Sequence, residues 1–543
     1  MLSFSRDIIL QTTDTSLHAY RRIAEDRKHT SAFNVNPLFI SSEGMNELMV
    51  ALEKDPEGKP TILLIKALLK SRHDSSAKVK SLEGFCNQLT EVLLANMIDG
   101  WIYHKADDGR HYPYLFSGVT YSPPGRHSEA HVNIYLKANG RDDERSRDRT
   151  SLTSLSIYLA AGEVTHRTIS DILTSKNLYM ETEELKQEYL DSIAYYEEHV
   201  SDFFAEQFIA QGAPFYHSGY NSITVDNVKV IQDLHPDEQM PVIPFSRSPL
   251  FEASDEDIQY LDRYPEGNGV LPIHPVVKVF NLESKTFQWF HADALTPYKY
   301  QPELREKLIL PKTHKDLLDI LTTNISVLTG DIIDGKSAGN TIMCKGAPGV
   351  GKTLTAEIYS EIIKRPLYSI DTGTLGCTPE KVHEKLKTVL EHAKRWNVVL
   401  LLDESDVFVR ARGNDIVQNA IVAEFLRTLE YFDGLLFMAT NRSKDIDDAI
   451  LSRCAAIIDY HLPNRSDSKA IWKMLGKQFE VSITDHVLEG VLDLLPNVAP
   501  RDIKALLRLV KRFSTYHDKE VSVDMVRQCA MFRGIEMTDE EAA

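Results

Sequence analysis

The chain has 543 residues, which exceeds the size of one ordinary hydrophobic core and predicts two or three domains. Hydrophobic residues make up 43% of the sequence and charged residues 26%, as in a soluble globular protein. The formal net charge of −18 disfavours non-specific binding to nucleic acid, because such binding depends mainly on Lys and Arg that neutralise phosphates.

Cysteine usage and hydropathy indicate the compartment. Five cysteines are scattered through the chain without a C-x-x-C pair, a pattern that fits a reducing interior and predicts neither a disulfide framework nor a zinc site. The N-terminus lacks a basic region followed by a long apolar core, and no uninterrupted apolar stretch approaches ~20 residues. We therefore expect a cytoplasmic protein without a signal peptide or a membrane span.

Residues 1–98 predict a helical N-terminal segment. Apolar residues recur there at the three- to four-residue spacing of an amphipathic helix in three stretches: 44–54, 60–72 and 79–97.

Residues 99–270 predict an α+β domain, to which we assign partner recognition. Four stretches are rich in aromatic and β-branched residues and predict an antiparallel sheet: 101–103, 112–121, 130–137 and 152–159. The charged run 141–149 is interpreted as a solvated loop or, alternatively, as a contact for a partner. A long helix is predicted over 181–211, and residues 213–270 contain a candidate linker rich in proline and acidic residues.

Residues 271–311 predict a hairpin and a linker. The stretches 275–282 and 285–291 read as two strands that turn at Glu283 and Ser284.

The next feature is a glycine-rich loop that fits the phosphate-binding pattern G-x-x-x-x-G-K-[ST]. It consists of Gly346, Ala347, Pro348, Gly349, Val350, Gly351, Lys352 and Thr353. In such a loop the backbone N–H groups surround phosphates, the Lys reaches the β- and γ-phosphates, and the Thr hydroxyl meets Mg²⁺. A short β-rich run precedes the loop and a stretch with helical spacing follows it, so a helix N-terminus should face the polyphosphate.

Two carboxylates follow a continuous apolar run about fifty residues further on. Residues 398–402 predict a strand that is covered on both faces, and Asp403 and Glu404 stand at its end, where open α/β sheets bind ligands. Hydrolysis of a bound polyphosphate needs one acid that holds Mg²⁺ and a second that deprotonates the attacking water. We predict the first role for Asp403, together with Thr353, and the second for Glu404. Capping of the next helix is the alternative.

The ordered motifs GAPGVGKT, LLLDE, ATNR and DDAILSR resemble those of the AAA family within the AAA+ superfamily of ATPases. The resemblance covers roughly residues 300–535. The chain is most similar in organisation to bacterial, phage and fungal AAA proteins that carry one such module behind an uncharacterised N-terminal region. The resemblance implies an α/β fold with a parallel sheet at 312–461, a small helical lid and C-terminal tail at 462–543, and the ligands ATP and Mg²⁺.

The resemblance also implies roles for individual residues. Asn441 would help to position the attacking water, and Arg453 matches the arginine finger that reaches the nucleotide of a neighbouring subunit; a surface ion pair is the alternative for Arg453. Leu354 extends the nucleotide-contacting loop. Arg501 stands where many AAA+ members place a lid arginine that touches ATP, although members of the AAA family often lack it.

One departure from the family concerns the loop that faces the pore in protein-threading relatives. That loop normally carries an aromatic residue, whereas here Gly373 to Cys377 contain none, although Leu375 and Gly376 keep the last two elements. A second pore-facing loop is predicted at 410–414. The leading hypothesis is a homo-oligomeric ring, expected to be a hexamer, that remodels or disassembles a protein partner. The alternatives are a nucleotide-switched regulatory or scaffolding ATPase without threading, and the ATPase component of a nucleic-acid or antiphage system.

Overall fold

The computed structural model of the chain describes most of its length. The described residues are 2–26, 32–35, 40, 42–54, 58–72, 78–82, 84–86, 88–89, 92, 101–106, 108–125, 128–139, 152–215, 224–234, 272–323, 340–376, 378–430 and 432–538. The charged run 141–149 and most of the linker predicted within 213–270 lie outside them. Within the described residues, no helix combines the length and the apolar character that crossing a lipid bilayer requires.

The N-terminal segment contains helices and one pair of short antiparallel strands. The strands are β1 (Leu2–Ser5) and β2 (Ala32–Val35). The helices are α1 (Arg6–Leu10), α2 (His18–Asp26), α3 (Ser42–Leu52) and α4 (Lys59–Arg72). The strands differ from the all-helical segment that the sequence predicted, because four residues are too few for a period-two pattern to stand out. The buried Leu2 and Phe4 show that pattern and pack in one core with the helices.

The first large sheet is antiparallel, as the sequence predicted. Its strand order is β6-β5-β4-β3-β7. The strands are β3 (Trp101–Lys105), β4 (His111–Ser122), β5 (His131–Asn139), β6 (Leu152–Ala160) and β7 (Leu178–Met180), and the short helices α5 (Ala161–Val164) and α6 (Ile169–Ser175) lie between the last two. One face of this sheet packs against Val79, Phe85 and Leu89.

The helix predicted over 181–211 ends earlier than expected. Helix α7 spans Glu183–Tyr196 and continues as one π-helical turn, Glu197–Ser201. Ala205 then adopts a positive φ of 66°, and the chain enters strand β8 (Gln207–Gly212). The prediction was wrong here because Phe204 and Phe208 happen to continue the helical spacing, whereas Phe208 is buried in the core of a second sheet.

The two strands of the hairpin predicted within 271–311 pair with each other and belong to a second five-stranded sheet. The sheet is antiparallel, with the order β11-β10-β9-β8-β12. Its remaining strands are β9 (Val225–Gln232), β10 (Val276–Asn281), β11 (Thr286–His291) and β12 (Leu295–Pro297). A 3-10 helix, Pro302–Lys307, leads from this sheet to the C-terminal part of the chain.

The C-terminal part contains a five-stranded parallel sheet with the order β14-β15-β16-β13-β17. The strands are β13 (Asn340–Gly346), β14 (Leu367–Asp371), β15 (Val399–Asp403), β16 (Leu435–Thr440) and β17 (Ala456–Tyr460). The helices are α8 (Lys312–Thr323), α9 (Lys352–Ile362), α10 (Pro379–Arg395), α11 (Asp406–Val409), α12 (Ile416–Leu429) and α13 (Asp448–Leu451).

Helices cover both faces of the parallel sheet, which explains its continuous apolar strands. Along β15, Leu400 and Leu402 contribute to the core on one face, whereas Val399 and Leu401 contribute to the core on the other.

Four helices follow the parallel sheet and form a small separate bundle. They are α14 (Arg465–Gln478), α15 (Asp485–Leu494), α16 (Pro500–His517) and α17 (Val523–Phe532). Their own core includes Trp472 and Leu506, both fully buried. This helical C-terminal region agrees with the predicted lid.

The second antiparallel sheet is attached to the parallel-sheet domain through buried contacts. Asp233, directly after β9, accepts a hydrogen bond from Arg395 Nε at 2.8 Å and another from Trp396 Nε1 at 2.7 Å. Phe280 of β10 lies 4.7 Å from the Trp396 ring between centroids. A second attachment centres on Glu361 of α9, which accepts from Tyr298 Oη at 2.6 Å. Sequence reasoning missed both acids because their partners lie 60 residues or more away.

Candidate nucleotide-binding site

The glycine-rich loop connects the carboxyl end of β13 to helix α9, as predicted. Gly346 has a φ of +152°, and a Cβ there would meet the Tyr460 carbonyl oxygen at 2.2 Å. At Gly349, with a φ of +80°, a Cβ would lie 2.9 Å from Arg501 Cβ. Gly351 is the N-cap of α9 and has no side chain to bind the first N–H groups of the helix. The loop therefore combines close backbone packing with a helix N-terminus suited to an anion.

Lys352 lies at the centre of the loop and is 7% exposed. Its Nζ donates to the carbonyl oxygens of Gly346 at 2.8 Å and Ala347 at 2.7 Å, and to Asn441 Oδ1 at 2.9 Å. Burial lowers the pKa of Lys352, while the nearby carboxylate of Asp403 raises it. The ammonium is thus held by oxygen atoms that phosphate oxygens could replace.

Thr353 and Asp403 are brought into direct contact. Thr353 Oγ1 donates to Asp403 Oδ2 at 2.9 Å, although the two residues are 50 positions apart. A hydroxyl oxygen beside a carboxylate is a donor set that suits Mg²⁺, which prefers oxygen ligands.

Glu404 adopts a left-handed backbone conformation at the end of β15. Its φ is +50°, which is uncommon for a residue with a Cβ. Its N–H donates to Asp403 Oδ1 at 2.9 Å, and its carbonyl oxygen accepts from Thr372 Oγ1 at 2.8 Å. These bonds hold the turn. The Glu404 side chain stays exposed to solvent at the carboxyl end of β15.

Asp406 is a site residue that the sequence analysis missed. Its Oδ1 accepts from the Asn441 backbone N–H at 2.8 Å and from Thr440 Oγ1. The carboxylate therefore connects the segment after β15 to the end of β16 and fixes the start of the turn that carries Asn441. The available signal was a third acid two residues after Glu404, in the sequence Asp403-Glu404-Ser405-Asp406.

Arg453 lies at the opposite end of the sheet from the loop. Two residues after it, the Ala455 N–H donates to Thr341 O at 2.8 Å, at the beginning of β13. Gly346 is five residues further along that strand, or about 16 Å at ~3.3 Å per residue. Arg453 Nη1 donates to Ala449 O at 3.0 Å, and Nη2 lies 3.8 Å from Glu430 Oε2. The structure therefore does not bring Arg453 together with the loop of its own subunit.

Arg501 links the helical bundle to the loop. Its backbone N–H donates to Gly349 O at 3.1 Å. Its charge is also near enough to Lys352 to act with burial in lowering the pKa of that lysine. Leu354, on the first turn of α9, is 47% exposed.

The loop that contains Leu375 corresponds to the pore-facing loop of protein-threading relatives and is folded against the protein. Leu375 is 1% exposed and packs in the core of the parallel-sheet domain. In the second loop, Arg412 Nε donates to Asp447 Oδ2 at 2.8 Å. Neither Leu375 nor the Arg412 guanidinium extends freely from its loop.

The site thus assembles Lys352, Thr353, Asp403 and Asn441 by direct hydrogen bonds, with Glu404 and Arg501 adjoining them. A family model described as "ATPase family associated with various cellular activities (AAA)" matches residues 342–462, which contain this constellation. The C-terminal part of the chain is an AAA domain. The preceding residues form a separate region that this match does not cover.

Curated relatives are identical to this chain at about a quarter of the aligned residues. Spastin from Naegleria gruberi is 26% identical over 281 residues, which cover 49% of this chain and 50% of spastin. "ATPase family AAA domain-containing protein FIGL1" from Arabidopsis thaliana is 26% identical over 226 residues, which cover 39% of this chain and 31% of that protein. The chain therefore spans half or less of the length of these curated relatives.

Matches among solved structures include an AAA domain. "Crystal structure of FIGL-1 AAA domain in complex with ADP" is 20% identical, and the match covers 43% of this chain and 84% of that one with a TM-score of 0.35.

Proposed function

We propose that the chain is an ATPase that hydrolyses Mg-ATP in a homo-oligomeric ring, expected to be a hexamer. We further propose that the ring remodels or disassembles a protein partner recognised by the N-terminal region. One observation supports the proposed ATPase activity. Four residues meet at the carboxyl ends of the parallel strands, next to a helix N-terminus: Lys352, Thr353, Asp403 and Asn441.

The roles of the binding residues follow from their contacts. The loop N–H groups and Lys352 would bind the phosphates, and Arg501 would approach them from the helical bundle. Thr353 Oγ1 and Asp403 Oδ2 would hold Mg²⁺, which supplies neutralisation of phosphate charge when it is bound.

The roles of the reacting residues concern the attacking water. Glu404, solvent-exposed and held in a fixed turn, would accept the proton of that water. Asn441 would orient the water while its Oδ1 positions Lys352. Asp406 is a positioning residue, because it acts through the backbone of Asn441.

The position of Arg453 supports the proposal of a ring. The segment that carries Arg453 meets the beginning of β13, which lies about 16 Å along that strand from the loop of the same subunit, so the guanidinium would stabilise a transferring phosphoryl group in a neighbour. A heterologous contact forms a ring when its rotation about an axis closes.

Replacement of Glu404 by Gln tests the enzymatic proposal. We expect the Glu404→Gln variant to bind ATP with unchanged affinity and to lose turnover by at least ~100-fold, because the amide cannot accept the proton. Binding is measured with a fluorescent ATP analogue and turnover by phosphate release. Glu384→Gln, on an exposed position of α10, is the matched control and should keep both properties. Unimpaired hydrolysis in Glu404→Gln would remove Glu404 as the base.

The alternative of a nucleotide-switched ATPase without threading is favoured by one observation. Leu375, which occupies the place of a pore-facing residue, is buried in the core. A pull-through assay separates the two functions: a folded fluorescent domain fused to a captured partner loses its fluorescence with ATP only if the ring threads polypeptide. The remaining alternative, action on nucleic acid, requires that DNA or RNA stimulate ATP turnover.

A further inference from the structure

Strand β6 forms one edge of the first antiparallel sheet, and its own sequence lacks the charges and proline that usually protect such an edge. It is nine residues long, Leu152–Ala160, and its sequence LTSLSIYLA contains no charged residue, proline or glycine. In the described part of the chain, the β6 backbone bonds to β5, and the Ala160 N–H donates to Glu163. Alternate N–H and C=O groups of an edge strand point away from the sheet and can pair with another extended chain.

The other edges of the two antiparallel sheets are short or covered. Strands β7 and β12 have three residues each, and β12 ends in Pro297. The edge of β11 is partly covered, since the Trp289 carbonyl oxygen accepts from the Phe215 N–H at 2.7 Å. Length, and the lack of a covering segment among the described residues, thus single out β6.

The sheet face beside β6 has the composition of a recognition surface. Tyr158 on β6 is 51% exposed and Tyr135 on β5 is 38% exposed. The His131 ring stacks on Tyr158 with centroids 4.9 Å apart, and Ser156 and Asn133 lie on the same face. Tyrosine with small uncharged polar residues provides large, adaptable contacts at a low entropic cost.

The opposite face of the sheet indicates which residues a strand added beside β6 should carry. Leu155 and Ile157 are partly buried at the margin of the first core, where an added strand could place apolar side chains beside them. An occupant with alternating apolar and uncharged polar residues would continue both faces of the sheet. Strand β5 has this alternation, because Val132, Ile134 and Leu136 are buried while Asn133 and Tyr135 point outward.

We propose that the β6 edge binds an extended segment of a partner polypeptide by strand addition. The segment would be uncharged at its centre, with apolar and polar residues in alternation. This inference rests on the proposed recognition of a protein partner by the N-terminal region and names the element that performs it. Main-chain hydrogen bonds would supply the affinity, and Tyr158 with Tyr135 would supply the selectivity.

The test uses the full chain and a peptide with the β5 sequence HVNIYLKAN, labelled with fluorescein, in anisotropy titrations. Two further peptides carry N-methyl groups on alternate residues, at odd positions in one and at even positions in the other. Alternate N–H groups of a strand point to opposite edges. Strand addition therefore requires that one methylated peptide keep its binding and the other lose it. No binding of the unmodified peptide, or equal behaviour of the two methylated peptides, would overturn the inference.

Two variants locate the site. We expect Ser156→Lys, which adds a charge on β6, to weaken binding by about tenfold or more, as edge lysines prevent strand pairing. Gln211→Lys adds the same charge to an exposed position of β8 in the second antiparallel sheet and should change affinity by less than about twofold. Equal loss in both variants would contradict binding at the β6 edge.

ATP turnover is measured on the same samples. Peptide binding without turnover would remove the proposed enzymatic function and leave this inference intact. Turnover without peptide binding would overturn this inference and leave the enzymatic function intact. The same conclusion holds if the chain's own residues cover the edge.

Discussion

The ammonium of Lys352 donates to the side-chain oxygen of Asn441 over 2.9 Å, which joins the phosphate-binding loop to the end of a different strand. The amide thus lies close to the position that transferred phosphate oxygens would occupy. Asp406 holds the backbone of the same asparagine, so its placement is determined from both sides.

We expect Asn441→Ala to lower kcat for ATP by at least ~10-fold, while KM changes by less than ~3-fold. The reason is that the lost contacts stabilise the transition state more than the bound substrate. Steady-state phosphate release gives both constants. Asn419→Ala is the matched control, because this exposed amide bonds to the Gly413 backbone. A rise in KM at constant kcat would assign Asn441 to nucleotide binding alone.

Arg453 should act on the neighbouring subunit. Arg453→Ala and Glu404→Gln are each expected to abolish turnover, but a mixed oligomer of the two contains sites with an intact Glu404 from one subunit and an intact Arg453 from the next. With random 1:1 assembly, about a quarter of the sites are complete, so activity should return to about that fraction of the unmodified protein. Subunit exchange is checked with two affinity tags. Mixed oligomers without recovered activity would contradict action in trans.

Asp233 should contribute to stability by attaching the second sheet to the AAA domain. Its side chain is 6% exposed, and Asp233→Ala would leave the buried Trp396 N–H without its acceptor. We expect the free energy of unfolding to fall by about 1–3 kcal/mol. Asp433→Ala is the matched control: it removes the partner of Lys394 on the same helix end, but Asp433 is 36% exposed, so a loss below about 1 kcal/mol is expected. Thermal unfolding of both variants gives the comparison, and equal losses would refute a special role for Asp233.

His291 should make the protein less stable in mild acid. Burial, with smaller effects from Arg110 and His274, lowers the pKa of His291 from 6.5 to about 3. Its Nδ1 accepts from the Asp293 N–H at 3.3 Å, although the Asp293 carboxylate lies 3.4 Å away, and the Tyr112 ring also packs against it. The folded state therefore keeps the imidazole neutral.

The sign of the pH effect follows from proton uptake. Between pH 6.5 and pH 3 the unfolded chain binds one proton more than the folded chain at His291, so stability falls as the pH decreases through this window. At pH 5 the loss is about 2 kcal/mol relative to neutral pH. We expect His291→Gln to flatten the dependence of the unfolding temperature on pH between 7 and 5. An unchanged slope in that variant would assign the acid sensitivity to other groups.

Local patterns predicted the AAA domain more completely than the region before it. The strands around Gly346 and Asp403 are continuous apolar runs, because helices cover both faces of their sheet, and such runs are visible in a single sequence. The hairpin that turns at Glu283 and Ser284 was also predictable from the sequence. The helix end after Tyr196 was not, because Phe204 and Phe208 satisfy a helical period by coincidence and tertiary burial decides their backbone.

By itself, the sequence determined the kind of chemistry, because the loop from Gly346 to Thr353 and the acids Asp403 and Glu404 are contiguous motifs whose function depends on local backbone geometry. Only the tertiary structure decided which distant groups meet: Lys352 with Asn441, Asp406 with the end of β16, and Asp233 with Trp396. It also set Arg453 at the far end of β13 from the loop and left the β6 edge open to a further strand in the described part of the chain. The physical reason is that such pairings depend on strand order and packing between segments far apart in the chain, which no local periodicity encodes.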